Sequence, residues 1–167
     1  MQNLTMPSHR APADLPAFRP GPASNFQPEP CRTQAQTDVQ FVELLNAYRS
    51  SGGLARLEEV MELTRGACGQ AVSHMAKWII EREVMSFEWH AGLWLPLFQF
   101  KRADMTPWQA TQQVVRVLNP VLGPWALAAW FVRPHALLQN RSPADTLHAS
   151  FPAVMHAARA EPAFAIA

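Results

Sequence analysis

The stretch from Val84 to Phe100, VMSFEWHAGLWLPLFQF, constrains this chain more than any other. Val84, Phe87, Trp89, Leu93, Trp94, Leu95, Leu97, Phe98 and Phe100 crowd into it, a density of aromatic and branched side chains that suits pleated, half-buried strands. His90-Ala91-Gly92 divides the run as a compact turn, so the pattern predicts a β-hairpin with a first strand over residues 84–89. Pro96 cannot donate to a ladder, which makes the second strand an edge strand or ends its pairing at Leu95. A lone two-stranded hairpin is marginal in water. Its aromatic face therefore has to lie on helices, and the sequence supplies helical patterns on both sides.

Upstream, residues 1–36 hold seven of the fifteen prolines and few large apolar side chains. Such a segment cannot offset the entropy of ordering itself, and the expectation is a disordered, Pro-rich tail. Order is expected from Thr37, which forms a capping-box pattern with Gln40 ahead of Phe41, Leu44, Leu45 and Tyr48 at helical spacing. Ser50-Ser51-Gly52-Gly53 stops that helix. A second helix is predicted from Leu54 to Thr64, with Leu54, Leu57, Val60, Met61 and Thr64 on one face. Gly66-Ala67-Cys68-Gly69 reads as a tight turn, and a third helix over Gln70–Glu83 follows with Val72, Met75, Ala76, Ile79 and Ile80 as its buried stripe.

Two short helices joined by a Gly-containing turn have helix-turn-helix spacing, and a hairpin directly behind them occupies the position of a wing. The outer face of the third helix would present Gln70, Ser73, His74 and Lys77, the candidates for contact with DNA. The charge pattern opposes that use. The chain carries 14 basic and 13 acidic residues, and residues 39–102 hold seven of each sign, so no basic patch is concentrated there.

Downstream, Lys101-Arg102-Ala103-Asp104 is a polar link. Thr106-Pro107-Trp108-Gln109 reads as a helix start with Thr at the cap and Pro first inside, and Trp108, Thr111, Val114, Val115 and Leu118 form the apolar face. Gly123-Pro124 opens an almost wholly apolar helix, Trp125–Val132, of the kind that is buried in a core or covered by a partner. Ser142-Pro143-Ala144-Asp145 repeats the capping logic for a short helix ending near His148. Ser150 is expected to cap a last helix reaching about Arg159, with Ala160–Ala167 as a short tail.

Cys31 and Cys68 are isolated thiols, and the six histidines, at 9, 74, 90, 135, 148 and 156, lack ligand spacing. No Gly-rich phosphate loop follows a strand, and Asp104 and Asp145 stand alone. The sequence thus assigns no catalytic residue, no metal site and no cofactor, and points to a protein that is not an enzyme. Neither a signal-peptide core nor a run of ~18 apolar residues is present, so a cytoplasmic protein without a membrane partner is expected.

The C-terminal pattern Trp125-x4-Trp130-Phe-Val-Arg-Pro134-x3-Leu138-Gln-Asn140-Arg-Ser-Pro143-Ala-Asp145-Thr-Leu147, followed by Val154 and Ala157-Ala158, resembles the Xre/MbcA/ParS-type toxin-binding domain. Trp94-Leu-Pro96-Leu-Phe98-Gln99-Phe100 is similar to the Pro-aromatic-Gln-Phe segment that precedes this domain in some relatives. The resemblance implies a mainly α fold, with helix-turn-helix-like helices and one β-hairpin over residues 37–104 and a small four-helix antitoxin-like domain over residues 105–167. It further implies a non-enzymatic antitoxin-like protein that masks a RES-domain toxin, acts as a homodimer and represses its own operon through operator DNA. Partner-binding residues would be Asn140, Arg141, Ser142, Pro143 and Asp145. Family members commonly have Gly where Asn140 stands, and Asn is the non-Gly residue best suited to a left-handed backbone. The alternative reading is a stand-alone DNA-binding regulator without a toxin.

Overall fold

Helix α1 (Gln34–Ala47) sets the first wall of the core, in a computed structural model that describes residues 34–65 and 71–164. These residues all belong to one compact unit, Cys31–Ala167. The tail expected over residues 1–36 lies outside the described residues up to Thr33. Thr37 is not the cap: the helix starts three residues earlier, where the Gln34 side chain donates to Asp38 Oδ1 at 2.9 Å, an i,i+4 pair that supports the first turn. A 3-10 turn over Tyr48–Ser51 ends the helix, and Gly52 (φ 109°) and Gly53 (φ 89°) then take left-handed conformations, as the Ser-Ser-Gly-Gly run anticipates.

Leu54–Arg56 is strand β1, not the first turn of a helix. It pairs antiparallel with β3 (Gly92–Pro96), which also pairs with β2 (Phe87–Trp89), giving a three-stranded sheet in the order β1–β3–β2. The expected two-stranded hairpin is therefore corrected to a small antiparallel sheet. Its second strand is central, and Pro96 is still in register with Leu54. The helical spacing continues backward from α2 (Leu57–Arg65) into β1, so only the long-range partner β3 separates the two. At the junction the Glu59 carboxylate accepts from the Arg56 N–H at 2.9 Å and starts the helix.

The turn of the hairpin is made by His90 (φ 45°) and Ala91 (φ 54°), while Gly92 begins β3. A two-residue loop with two positive φ angles matches the right-handed twist of the strands, but non-Gly residues resist it by about 1–2 kcal/mol each. Asp38 offsets that resistance. Its Oδ1 lies 3.0 Å from Trp89 Nε1 and 3.0 Å from His90 Nε2, and Phe41 stacks on Trp89 at 3.7 Å. The carboxyl of Asp38 is held below its ordinary 3.8, first by the hydrogen bond from Gln34, with those from Trp89 and His90 adding and desolvation opposing.

Helix α3 (Ala71–Ile80) ends three residues before Glu83, because the chain reverses at Arg82 (φ 53°) and Glu83 N returns to Trp78 O at 2.8 Å. Beyond the sheet, Gln99 is buried and brackets one backbone residue: Met85 N donates to Gln99 Oε1 at 2.8 Å, and Gln99 Nε2 donates to Met85 O at 2.9 Å. Helix α4 (Gln109–Leu118) starts later than Thr106-Pro107 predicts. Asp104 Oδ1 binds both the N–H and the hydroxyl of Thr106, and Pro107 bridges to Phe100, so these residues close a turn and Trp108 takes the cap position.

Helix α5 (Pro124–Val132) has Gly123 at its cap and Pro124 first inside, as read, and α6 (Pro143–Thr146) begins at Ser142. Helix α7 (Phe151–Phe164) runs past Arg159, and Glu161 anchors the extra turn by accepting from Trp130 Nε1 at 3.0 Å. The molecule is thus mainly α, with seven α-helices and three strands among the described residues. Phe41, Tyr48, Phe98, Phe131, Leu147 and Ala158 belong to one core, which draws on both sides of residue 105. Tyr48, fully buried, ties them by donating to Ala128 O at 2.7 Å. A second cluster, Ala55, Val60, Met75, Val84, Leu95 and Phe100, lies between the sheet and helices α2 and α3.

Replacing Gln99 with Leu keeps the volume but strands the N–H and C=O of Met85, and should cost on the order of 2–5 kcal/mol in urea unfolding. An unchanged midpoint would show that water replaces the bracket. For Asp38 the lowered folded value means stability that is present above 3.8 and lost as pH falls through the folded pKa. The melting gap between wild type and Asp38→Asn should therefore narrow below about pH 4. A gap that stays constant down to pH 2 would remove the carboxylate from this role.

Candidate partner-binding face

The segment from Arg133 to Ser142 is a closed loop built on the end of α5. Pro134 cannot continue the helix, and the chain folds back so that His135 N donates to Arg141 O at 3.1 Å. Inside this closure Ala136–Leu138 makes a 3-10 turn whose start is capped by His135: Nδ1 accepts from Leu137 N at 3.2 Å. That bond fixes the imidazole with Nδ1 as the acceptor. Its Nε2 lies 3.7 Å from the Glu161 carboxylate, which also holds Trp130. Leu138 plugs into the core while Leu137 points out.

Gln139 (φ 57°) and Asn140 (φ 58°) are both left-handed, and Asn140 N donates to His135 O at 3.0 Å. Asn140 thus sits in the left-handed conformation that Asn tolerates better than other non-Gly residues. Of the five expected contact residues, Asn140, Arg141 and Asp145 are exposed. Ser142 and Pro143 are not offered to a partner. The Ser142 hydroxyl donates to Asp145 Oδ2 at 2.6 Å and accepts from Asp145 N at 3.2 Å, and Pro143 is buried as the first residue of α6.

On its other side α6 borders a groove of about 840 Å³ that Asp145 and His148 share with Trp108, Leu63, Phe100 and Arg102. Trp108 is 38% exposed and Leu63 58% exposed. The indole sits between two partners, with Lys101 Nζ 5.5 Å from its centre and the His148 ring at 5.0 Å in an edge-on arrangement. Spacing puts Trp108 on the apolar face of α4; its place outside the helix frees the ring for the surface. The only local hint was the Lys101-Arg102 pair shortly before it.

The expected DNA-contacting residues are distributed differently. Gln70 lies outside the described residues, as does the side chain of Ser73. His74 and Lys77 are exposed on α3, where His74 tilts over Trp78 at 6.0 Å and Lys77 pairs with Glu81 at 3.9 Å. The adjoining outer face of α2 carries Glu58, Glu59 and Glu62, all exposed. Among the described residues no group of three His, Cys, Asp or Glu could hold a metal ion, and no helix is long and apolar enough to cross a membrane. No family model matches the chain, and searches of curated proteins and of solved structures return no match.

Asn140→Gly should melt within about 0.5 kcal/mol of wild type, whereas Asn140→Val should lose about 1–2 kcal/mol, because a β-branched residue resists the left-handed backbone. Thermal unfolding of the two variants checks this. Equal melting would mean that the loop relaxes away from its closed form.

Proposed function

We infer that the protein is a non-enzymatic, antitoxin-like binding protein of the cytoplasm that masks a RES-type toxin, using the exposed part of the 135–145 loop and α6. The observation that carries this reading is the closed loop itself. Asn140 is held left-handed and Arg141 is tied through its backbone to Leu138 and His135, with Trp130, His135 and Glu161 behind them, so little order remains to be gained on binding. The exposed Trp108 beside Asp145 and His148 adds, across α6 from the loop, an aromatic side chain of the kind that dominates interfaces. Homodimerisation and repression of its own operon belong to the same proposal.

A second reading, a DNA-binding regulator, is favoured by one feature. The succession β1–α2–α3–β2–β3, with β3 between the other two strands, is the arrangement of a winged helix-turn-helix. Electrostatics weighs against it. Affinity for duplex DNA comes largely from cations on phosphates, and here Glu58, Glu59 and Glu62 flank a single paired lysine on α3. Helix α3 is then better read as a scaffold than as a helix that reads DNA.

Co-expression with a RES-domain toxin should restore growth and give a co-purifying complex. Arg141→Glu should weaken that complex about tenfold or more without shifting the melt, since it reverses an exposed charge and touches no core residue. A toxin that stays active and unbound beside the folded protein would sink the antitoxin reading. Tight operator binding that falls steeply with salt, in the absence of any partner, would establish the second.

A further inference from the structure

Strand β2 is an edge of the sheet, and a groove runs along it. In the hairpin register Phe87 faces Trp94 and Trp89 faces Gly92 across the two-residue turn. A two-residue loop makes Trp89 and Gly92 a hydrogen-bonded pair, and such pairs alternate along an antiparallel ladder. Phe87 therefore bonds inward, and Glu88 turns its N–H and C=O away from β3. Gln99 has already taken the N–H and C=O of Met85, which leaves Ser86 in phase with Glu88 along the outer side. Against this side lies a cavity of about 490 Å³ with Ile79, Leu122 and Trp125 among its apolar walls. Trp125 is positioned by contact with Phe87, ring centres 4.7 Å apart.

The charges along the groove are sorted in a telling way. Glu81 is paired with Lys77, and Glu83 accepts from Arg116 and Gln112. Arg82 and Glu88, which line the groove, have no ion pair among the described residues. Arg82 is also held in place: its backbone is left-handed, and its carbonyl accepts from Asn119 Nδ2 at 2.8 Å. An outward N–H and C=O pair calls for an extended backbone, because a helix has spent these groups internally. The two unmatched charges call for side chains of opposite sign on that backbone.

We propose that the outer edge of β2 is a docking site for an extended peptide segment of a protein partner, which adds antiparallel to β2 as a fourth strand. The segment sets an apolar side chain against Leu122 and Trp125 and brings a base to Glu88 and an acid toward Arg82. This site is separate from the loop at residues 135–145 and stands whether or not a toxin is the partner there.

The test uses the full chain and the blocked peptide acetyl-TKVIDT-amide, whose lysine would face Glu88. Saturating peptide should slow amide exchange at Ser86 and Glu88 about tenfold or more. Glu88→Pro removes an outward donor that the hairpin does not use, and should weaken binding about tenfold with β2 intact. In case that variant fails to fold, Glu88→Lys should lose the same affinity and regain it for the peptide acetyl-TEVIDT-amide. The proposal falls if exchange is unchanged, if Glu88→Pro binds the peptide as well as wild type, or if the charge swap restores nothing. It falls equally if light scattering finds a dimer that Glu88→Pro dissolves, since the edge would then belong to a second copy of this chain.

Discussion

A buried amide, Gln99, fixes how the hairpin and the C-terminal helices are joined. Its side chain supplies one acceptor and one donor to the backbone of Met85, the two bonds that a neighbouring strand would otherwise provide. The residue closes the 3-10 turn that follows β3, while Met85 stands just ahead of β2, so the bracket closes the hairpin at the end opposite the His90-Ala91 turn. An unmade bond to a buried peptide group costs roughly 1–3 kcal/mol, which is why a polar side chain is tolerated between two hydrophobic clusters. The Gln99 carbonyl then accepts from Trp108 N at 2.8 Å, so the same residue places the start of α4. Through it the sheet and the C-terminal helices share a register.

The remaining strain collects at corners. Among the described residues, six non-Gly residues, Arg82, His90, Ala91, Met105, Gln139 and Asn140, have positive φ. Each corner carries a hydrogen bond that justifies it: Asn119 onto Arg82, Asp38 onto His90, Lys101 O under Met105, His135 O under Asn140. Left-handed residues of this kind persist only where the surroundings over-determine them. At Arg82 and His90 those surroundings are side chains distant in sequence, and at Met105 and Asn140 they are backbone carbonyls a few residues upstream. The exposed loop at residues 139–141 and the groove beside β2 both lie next to such a corner.

Local signals were legible where a residue's own chemistry decides the backbone. Gly52-Gly53 stopped α1, Gly123-Pro124 and Ser142-Pro143 opened α5 and α6, and Asn140 declared a left-handed position. The sequence was silent where a distant partner decides. Leu54, Leu57 and Val60 keep helical spacing through the junction of β1 and α2, and nothing within that window records that Ala55 faces Leu95. Thr106-Pro107 has every local mark of a helix start, yet Asp104 captures the threonine first. Of the candidate site, the loop was legible through Asn140 and the cap through Ser142. The exposure of Trp108 was not, because it follows from the two-residue delay of α4.

The two halves of the chain bear on function differently, and the difference is electrostatic. A helix-turn-helix order needs only hydrophobic spacing and turns, so it can be kept by a chain that binds no phosphate. Reading DNA additionally needs a surplus of cations, and a surplus is a property of the outer face alone. On that face α2 presents three glutamates, and the lysine of α3 is occupied by Glu81. The C-terminal side is different in kind: an arginine and an asparagine on a closed loop, and an indole flanked by Lys101 and His148. Polar groups at fixed angles around a partly exposed aromatic ring give directional contacts with little ordering on association, which is the physics of a protein interface. On the proposed antitoxin reading, the contact with the toxin therefore falls on α6 and the loop before it and not on the outer face of α2 and α3.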